Sequence, residues 1–455
     1  MAERSVRAQA RLDWLADRWA DVWRWMLLAG GMALAVYLVV ERGAANGVAM
    51  AAVLGLLVIG AALTGSYSMA IPLIAMPGLF VTQRLGLGGV ELAVSDVALA
   101  AAFGAALLLG KRPYSGPMKA LLWFNLAYQV ATLLTVIVNP YVANTVEWFH
   151  AWLLVSGALV VGWALGRAGY ARATFALMLA SAAIIAVGTL VTAVGQYAGG
   201  DFSPVYPEWP LSLHKNAAGT FMAFAALIAF VRPEWSRLPS QWTRPVFWLL
   251  VVAILATQSR QALVGLVISL IVVGLRRGAL RRSRFMALLA IPAVWLVASS
   301  VVDQIQSQNE FNSFYQRLDW MREVYAFWKL SPIFGHGLRY WYTDVSANFQ
   351  PPQAEIEVAA SAGLVGLAAF VVMWVGVIGV LWRVDLRFGT LALAVVLSRI
   401  VQAQFDLFWV AGQVSVPFVI AGVCLGALAR ETESRSGSLA VPAITVPSKT
   451  AGSLT

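Results

Sequence analysis

Charged side chains are what this chain lacks. Only 12% of its 455 residues are Asp, Glu, Lys or Arg, which excludes the solvated surface of an ordinary soluble domain. Cysteine is nearly absent as well: Cys424 stands alone inside an apolar run, so no disulfide can form within the chain. Histidine occurs three times, and no metal-ligand cluster, phosphate-cradling loop or Ser-His-Asp order stands out. The ten-residue alternation of an outer-membrane barrel is also missing, so any backbone within a bilayer must satisfy itself in helices.

What is present is apolar length. Hydrophobic residues make up 60% of the chain, and its mean hydropathy is +0.75. Apolar stretches long enough to cross about 30 Å of hydrocarbon recur at 24–40, 46–64, 69–83, 95–110, 118–138, 146–166, 173–197, 216–231, 245–257, 261–275, 285–301, 356–381, 388–404 and 408–428. The pattern predicts an all-α integral membrane protein with about 12–14 transmembrane helices, the count depending on whether the Pro72- and Pro77-containing stretch is re-entrant. A cytoplasmic N-terminus puts Lys111, Arg112, Lys119, Arg167, Arg172, Arg232, Arg237, Arg244 and the run 276–284 inside, as the positive-inside rule requires, and leaves both termini cytoplasmic. The net charge of +10 is spread over these loops instead of one face, which argues against nucleic acid as a partner.

The predicted organisation has five parts. Residues 1–23 form an interfacial amphipathic segment, with Leu12, Leu15, Trp19 and Trp23 at helical spacing beside basic residues, in place of a cleavable signal. Residues 24–301 form a transmembrane bundle, 302–355 a long extracytoplasmic loop, 356–428 the C-terminal transmembrane helices, and 429–455 a disordered cytoplasmic tail rich in Ser, Thr, Pro and Gly. In the loop, Leu318, Met321, Tyr325 and Trp328 recur at helical spacing, which predicts an amphipathic helix ended near Ser331-Pro332 and followed by a Gly-rich turn. That helix can cover the interface or act as a lid over a substrate site.

Some basic residues fall on the predicted outer side, where orientation does not account for them: His214, Lys215, Arg260, Arg317, Arg322, Lys329 and Arg339. Arg322 and Lys329 fit snorkelling or a solvated helix face. Arg260 is recessed between two spans, and a guanidinium there suits bidentate grip on phosphate oxygens.

The order "HKNAAG", "TQSRQALVGL", "RLDW" with "SPIFGHG", then "EIEVAASAGLVGL" resembles the O-antigen ligase and O-antigen polymerase superfamily, over roughly residues 210–370. The resemblance implies a metal-independent integral-membrane glycosyltransferase of the GT-C class, with no cofactor. It would take a glycan from a polyprenyl-pyrophosphate carrier at the outer leaflet of the bacterial cytoplasmic membrane and move it to an acceptor hydroxyl on a glycan, glycolipid or protein. The retained pattern comprises Lys215, Asn216, Arg260, Arg317 and the Gly335–Gly337 turn. One departure stands out: members usually carry a His-Asn pair where this chain has Pro352 and Gln353, and that histidine is expected to orient the acceptor.

Since a pyrophosphate already leaves well, the chemistry needs cations on the departing phosphates and a positioned hydroxyl. Arg260 and Arg317 answer the first need. Glu355, His336 and His214 are the candidate bases near the expected site, with His214, Lys215, Asn216 and Arg339 as candidate substrate-binding residues. His336 can equally serve its glycine turn, and His214 a loop carbonyl. His150, one turn after Glu147, opens a span from outside and fits a structural role. A transporter or flippase of lipid-linked oligosaccharide is the competing class, suggested by Arg399 and Asp406 within apolar sequence, and a non-catalytic family member is a third.

Overall fold

A computed structural model describes residues 69–87, 90–278, 313–342 and 350–439, together with Val22. The expected spans 24–40, 46–64 and 285–301, the interfacial N-terminus and the end of the tail lie outside the described residues. The described chain is helical: α1 (Ala70–Gly78), α2 (Val94–Leu109), α3 (Gly116–Val138), α4 (Val142–Trp152), α5 (Ala158–Ala168), α6 (Ala171–Ala198), α7 (Lys215–Val231), α8 (Ser240–Thr257), α9 (Arg260–Arg276), α10 (Ser313–Trp328), α11 (Ala354–Arg383), α12 (Leu386–Gln402) and α13 (Ala411–Leu439). One small exception interrupts the all-α pattern, an antiparallel hairpin of β1 (Arg84–Leu87) and β2 (Val90–Ala93), with Arg84 opposite Ala93.

A π-helical turn, Leu153–Gly157, joins α4 to α5, so that Val142–Ala168 runs as one apolar rod. That rod, α3, α6, α11 and α13 are the five described helices long and apolar enough to cross a membrane. The stretch expected as a span at 69–83 is short: α1 has nine residues, rising about 14 Å, or roughly half the hydrocarbon thickness, before the chain turns into the hairpin. Lys215–Val231 also falls below full spanning length, at 17 residues.

Glycine sets the tightest helix pair. Gly162 and Gly166 on α5 face Gly422 and Gly426 on α13, and a Cβ on any of the four would come within 2.0–2.3 Å of a carbonyl oxygen of the other helix. Two small-xxx-small seams thus interlock, as suits helices in lipid, where close backbone approach replaces the hydrophobic drive. The polar end of α13 continues to Leu439, ten residues beyond the expected start of the tail. Glu431 and Glu433 account for this, pairing with Arg387 at 2.9 Å and with Arg167 respectively.

The long loop docks on a broken helix. α10 ends at Trp328, as the sequence predicts, and the following turn lies against α11 where Gly363, at φ +67°, interrupts the helical backbone. The break frees the carbonyls of Ala360 and Ser361, which accept from the backbone N–H groups of His336 and Gly337 at 3.1 and 2.9 Å. On the other side of the break, the N–H groups of Leu364 and Val365 donate to the carbonyls of Pro332 and Ile333 at 2.8 and 3.2 Å. The turn therefore satisfies backbone groups that lipid would leave bare. A Cβ on Gly335 (φ +69°) would sit 2.3 Å from the Ser361 oxygen, which explains the glycine there.

Candidate functional site

Two helices begin side by side. His214 caps α7, its Nδ1 accepting from the Asn216 N–H at 3.3 Å, and burial holds its imidazole below the ordinary histidine range, with Lys215 acting in the same direction and Asp406 opposing. Ser259 holds the N-cap position of α9, its hydroxyl turned away from the helix. Gly219, one turn into α7, lets this start approach: a Cβ at Gly219 would meet those of Ser259 and Ala262 at 2.8 and 2.9 Å. The result puts Lys215 and Arg260, each the first residue of its helix, close enough for the Arg260 charge to act on the Lys215 ammonium.

Between them runs a polar seam. Ser259 Oγ donates to Asn216 Oδ1 at 3.3 Å; Asn216 Nδ2 donates to Asp406 Oδ2 at 3.2 Å; and Gln261 Nε2 donates to the same oxygen at 2.8 Å. Asp406 comes from the turn that links α12 to α13. That turn is clamped from beneath by Arg399, a fully buried guanidinium that donates to the carbonyls of Leu407 (2.7 Å) and Phe408 and to Gln413 Oε1 (3.3 Å), with the Phe408 ring 5.2 Å from its centre.

The same turn reaches the start of α11. Gln404 donates to Glu355 Oε1 at 2.8 Å and accepts from Gln353 Nε2 at 3.0 Å, while Gln353 also donates to the other Glu355 oxygen. Gln353 thus fills the place of the absent histidine-asparagine pair as a helix cap, its Oε1 accepting from the Ile356 N–H at 2.8 Å. Glu357, one turn on and 3% exposed, accepts from Gln350 Nε2 at 2.8 Å and from the Phe408 N–H at 3.4 Å.

Of the residues expected from sequence, His214, Lys215, Asn216 and Arg260 converge, and Glu355 is tied to the turn that carries Asp406. Arg339 lies elsewhere: its Nη1 donates to Glu147 Oε2 at 3.0 Å, Glu147 bonds His150 at 3.2 Å, and His150 bonds Asp96 at 3.0 Å. His336 spends its Nε2 on the Phe327 carbonyl at 3.0 Å and stacks on the Phe327 ring at 3.7 Å; burial lowers its basicity. Arg317 belongs to α10 where only the backbone is described. Gln261, Gln404 and Asp406 are missing from the expected set. Asp406 had a sequence signal, a carboxylate in an apolar run, but it pointed toward a transport pathway.

A polytopic helical membrane protein that gathers cations at paired helix starts, over a carboxylate held by amides, is the class defined by these observations. Residues 245–371, from α8 into α11, match the O-antigen ligase family, in agreement with the superfamily the motifs resemble. The matched segment includes Arg260, Arg317, the Gly335–Gly337 turn and Glu355; Lys215, Asn216 and Asp406 fall outside it. No curated protein matches the chain.

Proposed function

We propose that this protein transfers or polymerises a polyprenyl-pyrophosphate-linked glycan onto an acceptor hydroxyl at the outer leaflet of the bacterial cytoplasmic membrane. The observation that carries this reading is the meeting of Lys215 and Arg260. Each cation is the first residue of its helix, where the dipole is positive, and this pairing of positive helix starts favours binding of an anion. A pyrophosphate suits such a pair in charge and in number of acceptor oxygens, with the nearby Asp406 carboxylate engaged by Asn216 and Gln261.

In this mechanism the acceptor oxygen attacks the anomeric carbon of the donor sugar, the bond from that carbon to the phosphate oxygen breaks, and polyprenyl pyrophosphate departs with the bonding electrons. Arg260 and Lys215 hold the departing charge, joined by Arg317 from the loop helix. Glu355, oriented by Gln353 and Gln404, accepts the hydroxyl proton or aligns its lone pair. His214 keeps Lys215 and Asn216 in register by capping α7. His336 and Arg339 support the site indirectly, through the docked turn and the Glu147 network. Arg399, the residue that favoured a transporter, is engaged in clamping a turn.

Analysis of the lipid carrier after deletion of the gene tests this. Carrier-linked glycan of one repeat unit should accumulate if the protein is a polymerase, and long carrier-linked chains if it is a ligase. An unchanged carrier pool would contradict both.

A further inference from the structure

At the far end of α7 and α9 lies a second basic site. α7 and α9 each have 17 residues, about 25 Å of rise, so the C-termini of both sit that far from Lys215 and Arg260. There the ends of α7 and α9 and the starts of α8 and α12 enclose a cavity of about 680 Å³. Five arginines line it, Arg232, Arg244, Arg276, Arg277 and Arg387, against one carboxylate, Glu234.

Three of the five are held by neighbouring elements. Arg387 pairs with Glu431 at 2.9 Å, and Arg276 donates to the carbonyls of Leu381, Trp382 and Val384 at the end of α11. Arg277 donates to the Val231 carbonyl at 2.8 Å, which holds its guanidinium at the cavity wall. Arg232 and Arg244 make no ion pair with any described carboxylate. Positive-inside orientation needs only basic residues in a loop; it does not need five guanidiniums converging on one concavity.

We propose that this cavity binds the phosphate headgroup of an anionic phospholipid, with Arg232, Arg244 and Arg277 as the ligating cations. The chemistry required is a phosphodiester oxygen pair within reach of planar guanidinium forks. The apolar part of the lining indicates a lipid over a free ion. Phe230, Phe247 and Leu270 form the inner wall, and Trp248 at the mouth begins an exposed stripe on α8 that continues with Val252 and Leu255, 45–52% exposed at i, i+4 and i+7. An acyl chain attached to a headgroup in the cavity can lie along that stripe. With the Lys215–Arg260 end outward, the cavity opens to the cytoplasmic leaflet; only this choice of leaflet rests on the function proposed above.

The experiment uses the full chain in neutral detergent, titrated with phosphatidylglycerol, phosphatidylcholine or inorganic phosphate, and reads lipid retained by native mass spectrometry together with the thermal midpoint. Phosphatidylglycerol should be retained and should raise the midpoint, with Arg232→Gln/Arg244→Gln binding it about 10- to 30-fold more weakly. Arg244→Gln alone, at an exposed position, should lose part of the affinity while folding normally, and serves if the double variant does not fold. Arg237→Gln, an exposed loop arginine outside the cavity, should bind like the parent. Equal retention by Arg244→Gln and the parent, or an equal loss in Arg237→Gln, would overturn the site. A midpoint shift with inorganic phosphate as large as with phosphatidylglycerol would overturn the lipid as its occupant. None of these readouts involves glycan transfer, so they stand or fall apart from the proposed activity.

Discussion

Asn216 donates from Nδ2 to Oδ2 of Asp406 at 3.2 Å, and this one bond ties the start of α7 to a turn 190 residues later. Gln261 reaches the same oxygen at 2.8 Å from the start of α9. A single carboxylate oxygen therefore fixes the spacing of the two helix starts that carry Lys215 and Arg260.

Asp406→Asn should keep the size of the side chain and lose the counter-charge. The new amide must turn its Nδ2 either toward both donors that Oδ2 now accepts from or toward the Leu407 N–H that Oδ1 accepts from, at a cost of about 1–3 kcal/mol. The expected result is normal membrane insertion with glycan transfer reduced at least tenfold, measured as product per unit of inserted protein. Unchanged transfer would show that Asp406 sets neither the spacing nor the field of the site.

Gly363→Ala should be strongly destabilising. The backbone is left-handed there, and a Cβ would stand 2.2 Å from the Ile333 carbonyl, so the docked turn must lift away. About 2–4 kcal/mol is expected, read as a lowered thermal midpoint in detergent. Gly195→Ala on α6, where a Cβ would meet nothing within 4 Å, is the control and should be neutral or slightly stabilising.

Helix starts and the glycine turn were legible in the sequence because their causes are local. Apart from the 69–83 stretch and the polar end of α13, the described spans begin and end close to the apolar runs, and the loop helix ends at Trp328, just ahead of Ser331-Pro332. The gathering of His214, Lys215, Asn216 and Arg260 follows from two motifs that each open a helix. Asp406 was legible only as an anomaly, since its partners lie 145 and 190 residues away and no periodicity encodes such contacts. The role of Gly363 was equally hidden: within an apolar helical pattern a glycine that breaks the helix reads the same as one that packs. The hairpin after α1 was legible only as a short alternation, Leu85, Leu87, Val90 and Leu92 around Gly88-Gly89, too brief to stand out beside the long apolar runs.

Arg399→Gln should lower stability and transfer together. Its guanidinium is the buried donor to the Leu407 and Phe408 carbonyls, and a shorter amide cannot reach both, so about 3 kcal/mol of stability should go with the geometry of the turn that carries Asp406. A variant that keeps its thermal midpoint but loses transfer would assign Arg399 to substrate, contrary to the clamp described here.

The cap on α7 makes stability depend on acid. His214 must be neutral for its Nδ1 to accept the Asn216 N–H, and burial lowers its proton affinity below the ordinary value of about 6.5. The unfolded chain then takes up a proton first as pH falls. The contribution is therefore complete above about pH 6.5 and is lost as pH drops through the lowered folded value. His214→Asn, which caps without titrating, should flatten this part of the stability curve between pH 7.5 and pH 5. An identical pH dependence in both proteins would remove His214 from the account.

The most direct test of the proposed site is Arg260→Lys. This change keeps a cation at the start of α9 and removes the two-point grip on phosphate, so a role in orientation or snorkelling would tolerate it. Product formed per unit of membrane-inserted protein should fall about 30- to 1,000-fold, corresponding to roughly 2–4 kcal/mol lost from a dry charge-assisted contact, with insertion and accumulation unchanged. Arg322→Lys, at an exposed position on α10, should be mild. Small and equal effects of the two substitutions would contradict the claim that Arg260 holds the departing pyrophosphate.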